Sequence, residues 1–230
     1  LFSVSDNKRV AFSPGNLQYN AMFGSHECAD GTTKQGTWRF AEHQYDMIGE
    51  DNQNISETYD GWIDLFCWGT SGWNSGAKAF EPYNTSTTVT DYGPSGSFSL
   101  TGEYANADWG VYNSISNGGN KAGLWRTLTK DEYNYLINLR KNASTKYGYA
   151  TINNVAGIVF LPDLWILPNK ITFESGCTNG FATNTYTESD WRKMEENGAI
   201  FLPASGSRQG SIITLIKNGI SILFLRNNFE

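Results

Sequence analysis

The chain is short of charge. Charged residues make up 17% of its 230 positions, against about 25% in an ordinary soluble domain. The 17 Lys and Arg residues are scattered, apart from short pairs such as Lys8-Arg9 and Arg140-Lys141. A phosphate-binding surface needs clustered cations. Nucleic acid is therefore not an expected partner, and the formal net charge of −6 argues the same way. Long hydrophobic runs are missing too. No stretch approaches the roughly 18 apolar residues of a membrane-crossing helix, so the chain is not expected to span a bilayer. Residue 1 is Leu, and no basic stretch followed by an apolar one opens the sequence, so any export signal lies outside these residues. Histidine is scarce. His26 and His43 both sit in polar surroundings, and both are expected at the solvated surface. The three cysteines, Cys28, Cys67 and Cys177, are spaced too widely for a metal knuckle or a redox dithiol. Their odd number excludes complete internal pairing. Three isolated buried thiols are the expected state, with one disulfide as the alternative.

What replaces the charge is Asn, Ser, Thr, Gly and Tyr, with 24 glycines and 14% aromatic residues. That mixture builds turns and an uncharged hydrogen-bonding surface. It suits exported binding proteins. The length allows one sizeable core, and a single domain over residues 1–230 is expected.

Phe2, Val4, Val10 and Phe12 alternate within two segments joined by Asp6-Asn7, which reads as a pair of strands. Extended structure resumes at 17–19, after Pro14-Gly15-Asn16. Residues 20–36 are polar and Gly-rich and read as a loop, and 38–48 as a short helix ending at Gly49. Residues 50–120 hold many glycines together with Trp62, Trp68, Trp73 and Trp109. Disordered segments are poor in aromatics, so this region reads as ordered loops pinned by rings. Two helices are clearer. Thr129-Lys130-Asp131-Glu132 is a capping box, followed by Tyr133, Leu136, Ile137 and Arg140 at helical spacing. A second helix starts near Thr187 or Ser189, carries Trp191 and Met194, and stops at Asn197-Gly198. Residues 156–161, 165–167 and 199–202 read as short buried strands, closed by Pro162, Pro168 and Pro203. Residues 211–230 are rich in Ile and Leu. They read as a last pair of core strands around Asn218-Gly219, or as an end foreign to the rest.

The chemistry-bearing patterns are thin. There is no G-x-S-x-G elbow, no H-E-x-x-H and no calcium loop. Asp60 with Asp64, and Glu103 with Asp108, supply the ingredients of a glycosidase pair beside aromatics, but turn formers and caps account for most such residues. Glu81-Pro82-Tyr83-Asn84 has the wrong spacing for a Glu-Pro-Asn sugar-binding triplet. No catalytic residue, metal or cofactor is expected. Trp68, Trp73 and Tyr83 stand among glycines. Exposed Trp and Tyr give rigid contact area at low entropic cost, whereas buried ones fasten loops to a core.

The string Trp125-Arg126-Thr127-Leu128-Thr129-Lys130-Asp131-Glu132-Tyr133-Asn134-Tyr135-Leu136 resembles a segment of C-type lectin-like domains. The branch is the one related to sulfatase-modifying factors and to large families of Bacteroidetes surface proteins. Phe12-Ser13-Pro14-Gly15-Asn16-Leu17-Gln18-Tyr19, the run from Trp38 to Asp46, Gly61-Trp62-Ile63-Asp64-Leu65-Phe66 with Trp68-Gly69-Thr70-Ser71-Gly72, Leu161-Pro162-Asp163, and the run from Phe201 to Gly210 resemble further parts of it. The resemblance covers most of residues 2–210. It implies an α+β, C-type lectin-like fold with a mixed, mostly antiparallel sheet, two helices and long irregular loops. It also implies secretion or display on a bacterial surface, as part of a larger multidomain protein. Related domains include the variable proteins of diversity-generating retroelements. Two departures stand out. Residues 211–230 lack the continuation usual after the "R-x-G" stretch. Cys177 stands alone, where formylglycine-generating enzymes carry a cysteine pair, so that activity is not expected. Together these readings anticipate a non-enzymatic recognition domain that binds a glycan or a protein. Its expected ligand-facing residues are Trp68, Trp73, Tyr83, Trp109, Tyr112 and Arg208. A carbohydrate-active enzyme and a purely structural module of an adhesin are the alternatives.

Overall fold

The structure, a computed structural model, describes residues 1–54, 56–67, 69–73, 82–83, 100, 102–209 and 211–215. It is a mixed α+β arrangement with few helices and mostly antiparallel sheets. β1 (Phe2–Ser5) and β2 (Lys8–Val10) form the expected opening hairpin around Asp6-Asn7. β3 (Leu17–Glu27) and β4 (Thr33–Phe40) pair antiparallel over most of their length. A single turn, α1 (Trp109–Tyr112), precedes α2 (Lys130–Asn134), which runs on as a π-helical turn over Tyr135–Leu139. Then come β5 (Tyr147–Ile152), β6 (Val155–Phe160), β7 (Asn184–Tyr186), α3 (Glu188–Glu196), β8 (Ile200–Pro203), β9 (Ser207–Gln209) and β10 (Ile212–Thr214).

The central sheet has the order β7-β5-β6-β8, with only the β5–β7 pair parallel. Side chains alternate across it, as the pleat requires. Val159, Phe201, Ala150 and Ile152 face α3, where they meet Trp191 and Met194. Ile158, Phe160 and Ile200 face the other way, toward Phe2 and Leu136. The sheet is therefore covered on both faces, by α3 on one side and by β1 with the π-helical turn on the other. The β5–β6 turn is Asn153-Asn154, with φ of 48° and 66°. Two successive positive φ values define the hairpin turn that matches strand twist, and Asn tolerates that conformation better than other residues with a side chain. α3 ends as expected. Gly198 takes φ 87° and donates to Glu195 O at 2.8 Å, and Ala199 N donates to Met194 O at 3.0 Å.

A second core lies under the β3–β4 hairpin. It gathers Tyr19, Ala21, Trp38, Phe40, Ile63 and Ile115. Ile63 exchanges two backbone hydrogen bonds with Tyr19, both 2.9 Å. The expectation of ordered, ring-pinned loops holds where the region is described: Phe66 packs against Trp38 at 5.3 Å and against Trp109 at 5.6 Å.

Four expectations are corrected. Residues 20–36 are hairpin rather than loop; the pairing shifts register between Asn20 and Ser25, and the exposed hairpin tip accounts for the polar sequence. Residues 38–48 form no helix; Trp38 and Phe40 are buried two apart, which is strand spacing, and irregular turns follow. Residues 165–167 form no buried strand; Ile166 and Leu167 are exposed. β10 is an exposed partner of β9, not a core strand, and Asn218-Gly219 lies outside the described residues. β5, with every second residue buried, was missing from the expectation altogether. All three cysteines are free thiols, with Cys28 and Cys67 buried.

The segment 125–132 explains its own sequence. Thr129 and Glu132 form the capping box. Arg126 donates two hydrogen bonds to the Glu132 carboxylate, at 2.7 and 2.6 Å, and Lys8 donates a third at 2.8 Å. One carboxylate thus joins β2, the loop before α2 and the helix itself. Burial works against its ionisation, but the donors from Arg126, Lys8 and Thr129 prevail and hold its pKa down to about 2, from 4.5. Because the folded pKa is depressed, the stabilisation is full above pH 4.5 and is lost as pH falls toward 2. Glu132→Gln is expected to cost about 2 kcal/mol near neutral pH, allowing for solvent on the Lys8 side. Urea denaturation between pH 7 and about pH 3 checks this: the gap between the two proteins should close on acidification.

Candidate functional site

A cleft of about 510 Å³ opens beside the β3–β4 hairpin. Tyr19, Ala21, Met22, His26, Lys34, Gln35 and Trp38 come from the hairpin. Glu57, Thr58, Ser71, Pro82 and Tyr83 come from the loops facing it. Several of these side chains are fixed from below. Gly36 takes φ 94°, and a Cβ there would fall 2.5 Å from the Tyr19 hydroxyl, so glycine is required for the ring to lie under the strand. Tyr19 in turn packs on Trp38 at 4.6 Å. Asn20 holds the bulge, accepting from Met22 N and Phe23 N at 2.9 and 2.8 Å and donating to Asp60 O at 2.6 Å. Lys34 donates to Gly72 O and lies over the Tyr112 ring at 5.5 Å.

His26 corrects the sequence reading. It is buried, whereas His43 is exposed as expected. The His26 ring lies between Gly36 O and Asn113 Oδ1, each 2.8 Å from a ring nitrogen. Asn113 donates through Nδ2 to Ser71 O and Trp109 O, at 2.9 and 3.1 Å, which fixes its oxygen toward the ring. Both neighbours of the imidazole are therefore acceptors. A ring with a proton on each nitrogen satisfies both, and a neutral ring satisfies one. The sequence around His26 carries no hydrophobic alternation to mark a strand, since Ser25 and Glu27 are polar and Gly24 has no side chain.

Of the anticipated ligand-facing residues, the structure brings Tyr83 into the cleft. Trp73 is half-buried and meets Tyr104 edge-on at 6.0 Å. Trp109 is half-buried against the second core and donates to Thr70 Oγ1 at 3.2 Å. Tyr112 is buried, and its hydroxyl donates to Asp30 Oδ2 at 3.0 Å. Burial, reinforced by that hydrogen bond, raises its pKa well above the ordinary tyrosine value. Arg208 lies away from the cleft. Its guanidinium is buried and donates to Asn52 O, and among the described residues Nε and Nη1 find no hydrogen-bond partner. Burial lowers its pKa, and Asp64 and Cys67 oppose that shift. Trp68 lies outside the described residues.

The carboxylates weighed for catalysis serve as backbone acceptors. Asp64 accepts from Ile48 N at 3.0 Å and from Asn52 Nδ2 at 2.8 Å. Asp108 accepts from Gly110 N at 3.2 Å and from Thr127 N at 2.8 Å. Burial pushes both carboxyls up, against these donors. Asp60 is exposed, and the Glu103 side chain lies outside the description. Among the described residues, no three His, Cys, Asp or Glu side chains gather as metal ligands would. The cleft offers rings, a thioether, an ammonium, a carboxylate and several amide or hydroxyl groups, a set suited to holding a polar ligand.

No protein-family model, curated protein or solved structure matches the chain.

Asn113 ties β3 and the loop at Ser71 to its own segment beside the cleft, so Asn113→Ala would remove the partner of Ser71 O and one partner of the His26 ring. A loss of about 3 kcal/mol in unfolding free energy is expected, measured by urea denaturation. A change under about 1 kcal/mol would show that the amide is dispensable.

Proposed function

We propose that this chain is a non-enzymatic recognition module of C-type lectin-like fold, secreted or displayed at a bacterial surface within a larger protein, and that it binds a glycan or a protein. The observation that carries the reading is the 510 Å³ cleft, where Tyr83 and Met22 stand beside Lys34, Gln35, Glu57 and Thr58. Its floor is made of the buried rings of Tyr19 and Trp38, packed into the second core. Preorganised walls of this kind favour binding because little ordering remains to be done on association. The commitment of Asp64 and Asp108 to backbone donors supports recognition over hydrolysis. The order of motifs along residues 2–210 supports the lectin-like assignment.

A glycan array, together with pull-down from bacterial and host surfaces, tests the proposal. The protein should retain a ligand in one of the two, and Tyr83→Ala should weaken that binding by about tenfold or more, as removal of a central aromatic anchor does. Silence in both, from protein shown to be folded by circular dichroism, would overturn it.

A further inference from the structure

The segment between Pro162 and Pro168 reads Asp163-Leu164-Trp165-Ile166-Leu167. Its apolar side chains point into solvent: Leu164 is 89% exposed, Ile166 76% and Leu167 47%. Trp165, between them, turns the opposite way and packs on the core beneath α3. The loop is thus anchored by one ring and presents its aliphatic residues outward as a group. Clustered large aliphatics of this kind are unusual on a surface that faces only water. Proline at each end restricts the backbone, so the tip is held out rather than free to fold back.

At its base cations outnumber the one carboxylate, Asp163. Arg140, buried, donates to Leu161 O at 2.9 Å, and Lys146 donates to Pro162 O at 3.1 Å. Lys141 acts electrostatically on Lys146. Lys170 is exposed in the turn after Pro168. The carboxylate among them, Asp163, is taken up by Ser3 at 2.6 Å, Arg140 at 3.5 Å and Arg9 at 3.8 Å. In a chain of net charge −6, this is a local excess of cations at the base of an apolar tip.

We propose that the 164–167 loop is a wedge that docks the protein peripherally on an anionic lipid bilayer. The aliphatics enter the interface while Arg9, Lys141, Lys146 and Lys170 meet the headgroups. Partial insertion of apolar side chains combined with attraction to anionic lipid is the physical basis of interfacial binding. The surface is separate from the cleft and does not depend on the function proposed for it.

The full chain is sedimented with phosphatidylcholine vesicles containing phosphatidylglycerol, and with phosphatidylcholine alone. Binding to the first is expected, reduced by about tenfold or more in the second and at high salt. The double variant Leu164→Ser, Ile166→Ser should lose about tenfold or more on the anionic vesicles. These side chains are solvent-exposed, so its fold should survive, as circular dichroism would show. Lys141→Glu should weaken binding with the apolar tip intact. Absence of vesicle binding, equal binding by the double variant, or a tip that instead mediates self-association abolished by the double variant would each overturn the proposal.

Discussion

Side-chain amides, standing where a neighbouring strand would stand, hold the irregular half of this protein together. An Asn amide has one carbonyl and one N–H₂, the same donor and acceptor that a peptide edge offers. Asn117 accepts from Phe40 N at 2.7 Å and donates to Phe40 O at 2.9 Å. Asn184 does the same to residue 174 and reaches Tyr149 O as well. Asn52, wholly buried, accepts from Asp64 N and Leu65 N and donates to Gly49 O. Backbone groups taken out of water must find partners, and these loops find them in amides. The low charge of the chain follows. A neutral amide can be buried without a counter-ion, whereas a buried charge needs one.

Aromatic rings complete what the amides begin. Phe66 bridges Trp38 and Trp109, and Arg39 stacks on Trp62 at 3.6 Å. The rings were evident in the sequence as material for pinning loops. The amides were not, because an Asn in a turn and an Asn at a buried junction look alike before the fold brings residue 117 beside residue 40.

The regular elements were legible where local chemistry marks them. The capping box at Thr129 and the Asn197-Gly198 stop announce two helices. The opening hairpin shows its period of two. The long β3–β4 hairpin was hidden because its inward positions near the tip are His26 and Cys28 rather than large apolar residues, so the alternation carries little hydrophobic contrast. β5 carried a readable signal, Tyr147-Gly148-Tyr149-Ala150-Thr151-Ile152 followed by Asn153-Asn154, but glycine and alanine at its inward positions diluted the hydrophobic pattern. Of the site, only Tyr83 was anticipated in the cleft. His26 and Lys34 reach it through the pairing of β3 with β4, a non-local event that no short window of sequence contains. Ile166 and Leu167 face outward, where the apolar run 165–167 before Pro168 suggested a buried strand.

The irregular half depends on loops whose backbone is protected as a sheet would be. Native-state hydrogen exchange at Met22, Phe23, Phe40, Asp64, Leu65 and Glu174 measures this directly, since each donates its N–H to an Asn side chain. Protection comparable to that of paired amides in β5 and β6 is expected, as of groups that open only with their structural unit. Exchange of these amides as fast as that of exposed loop residues would contradict it.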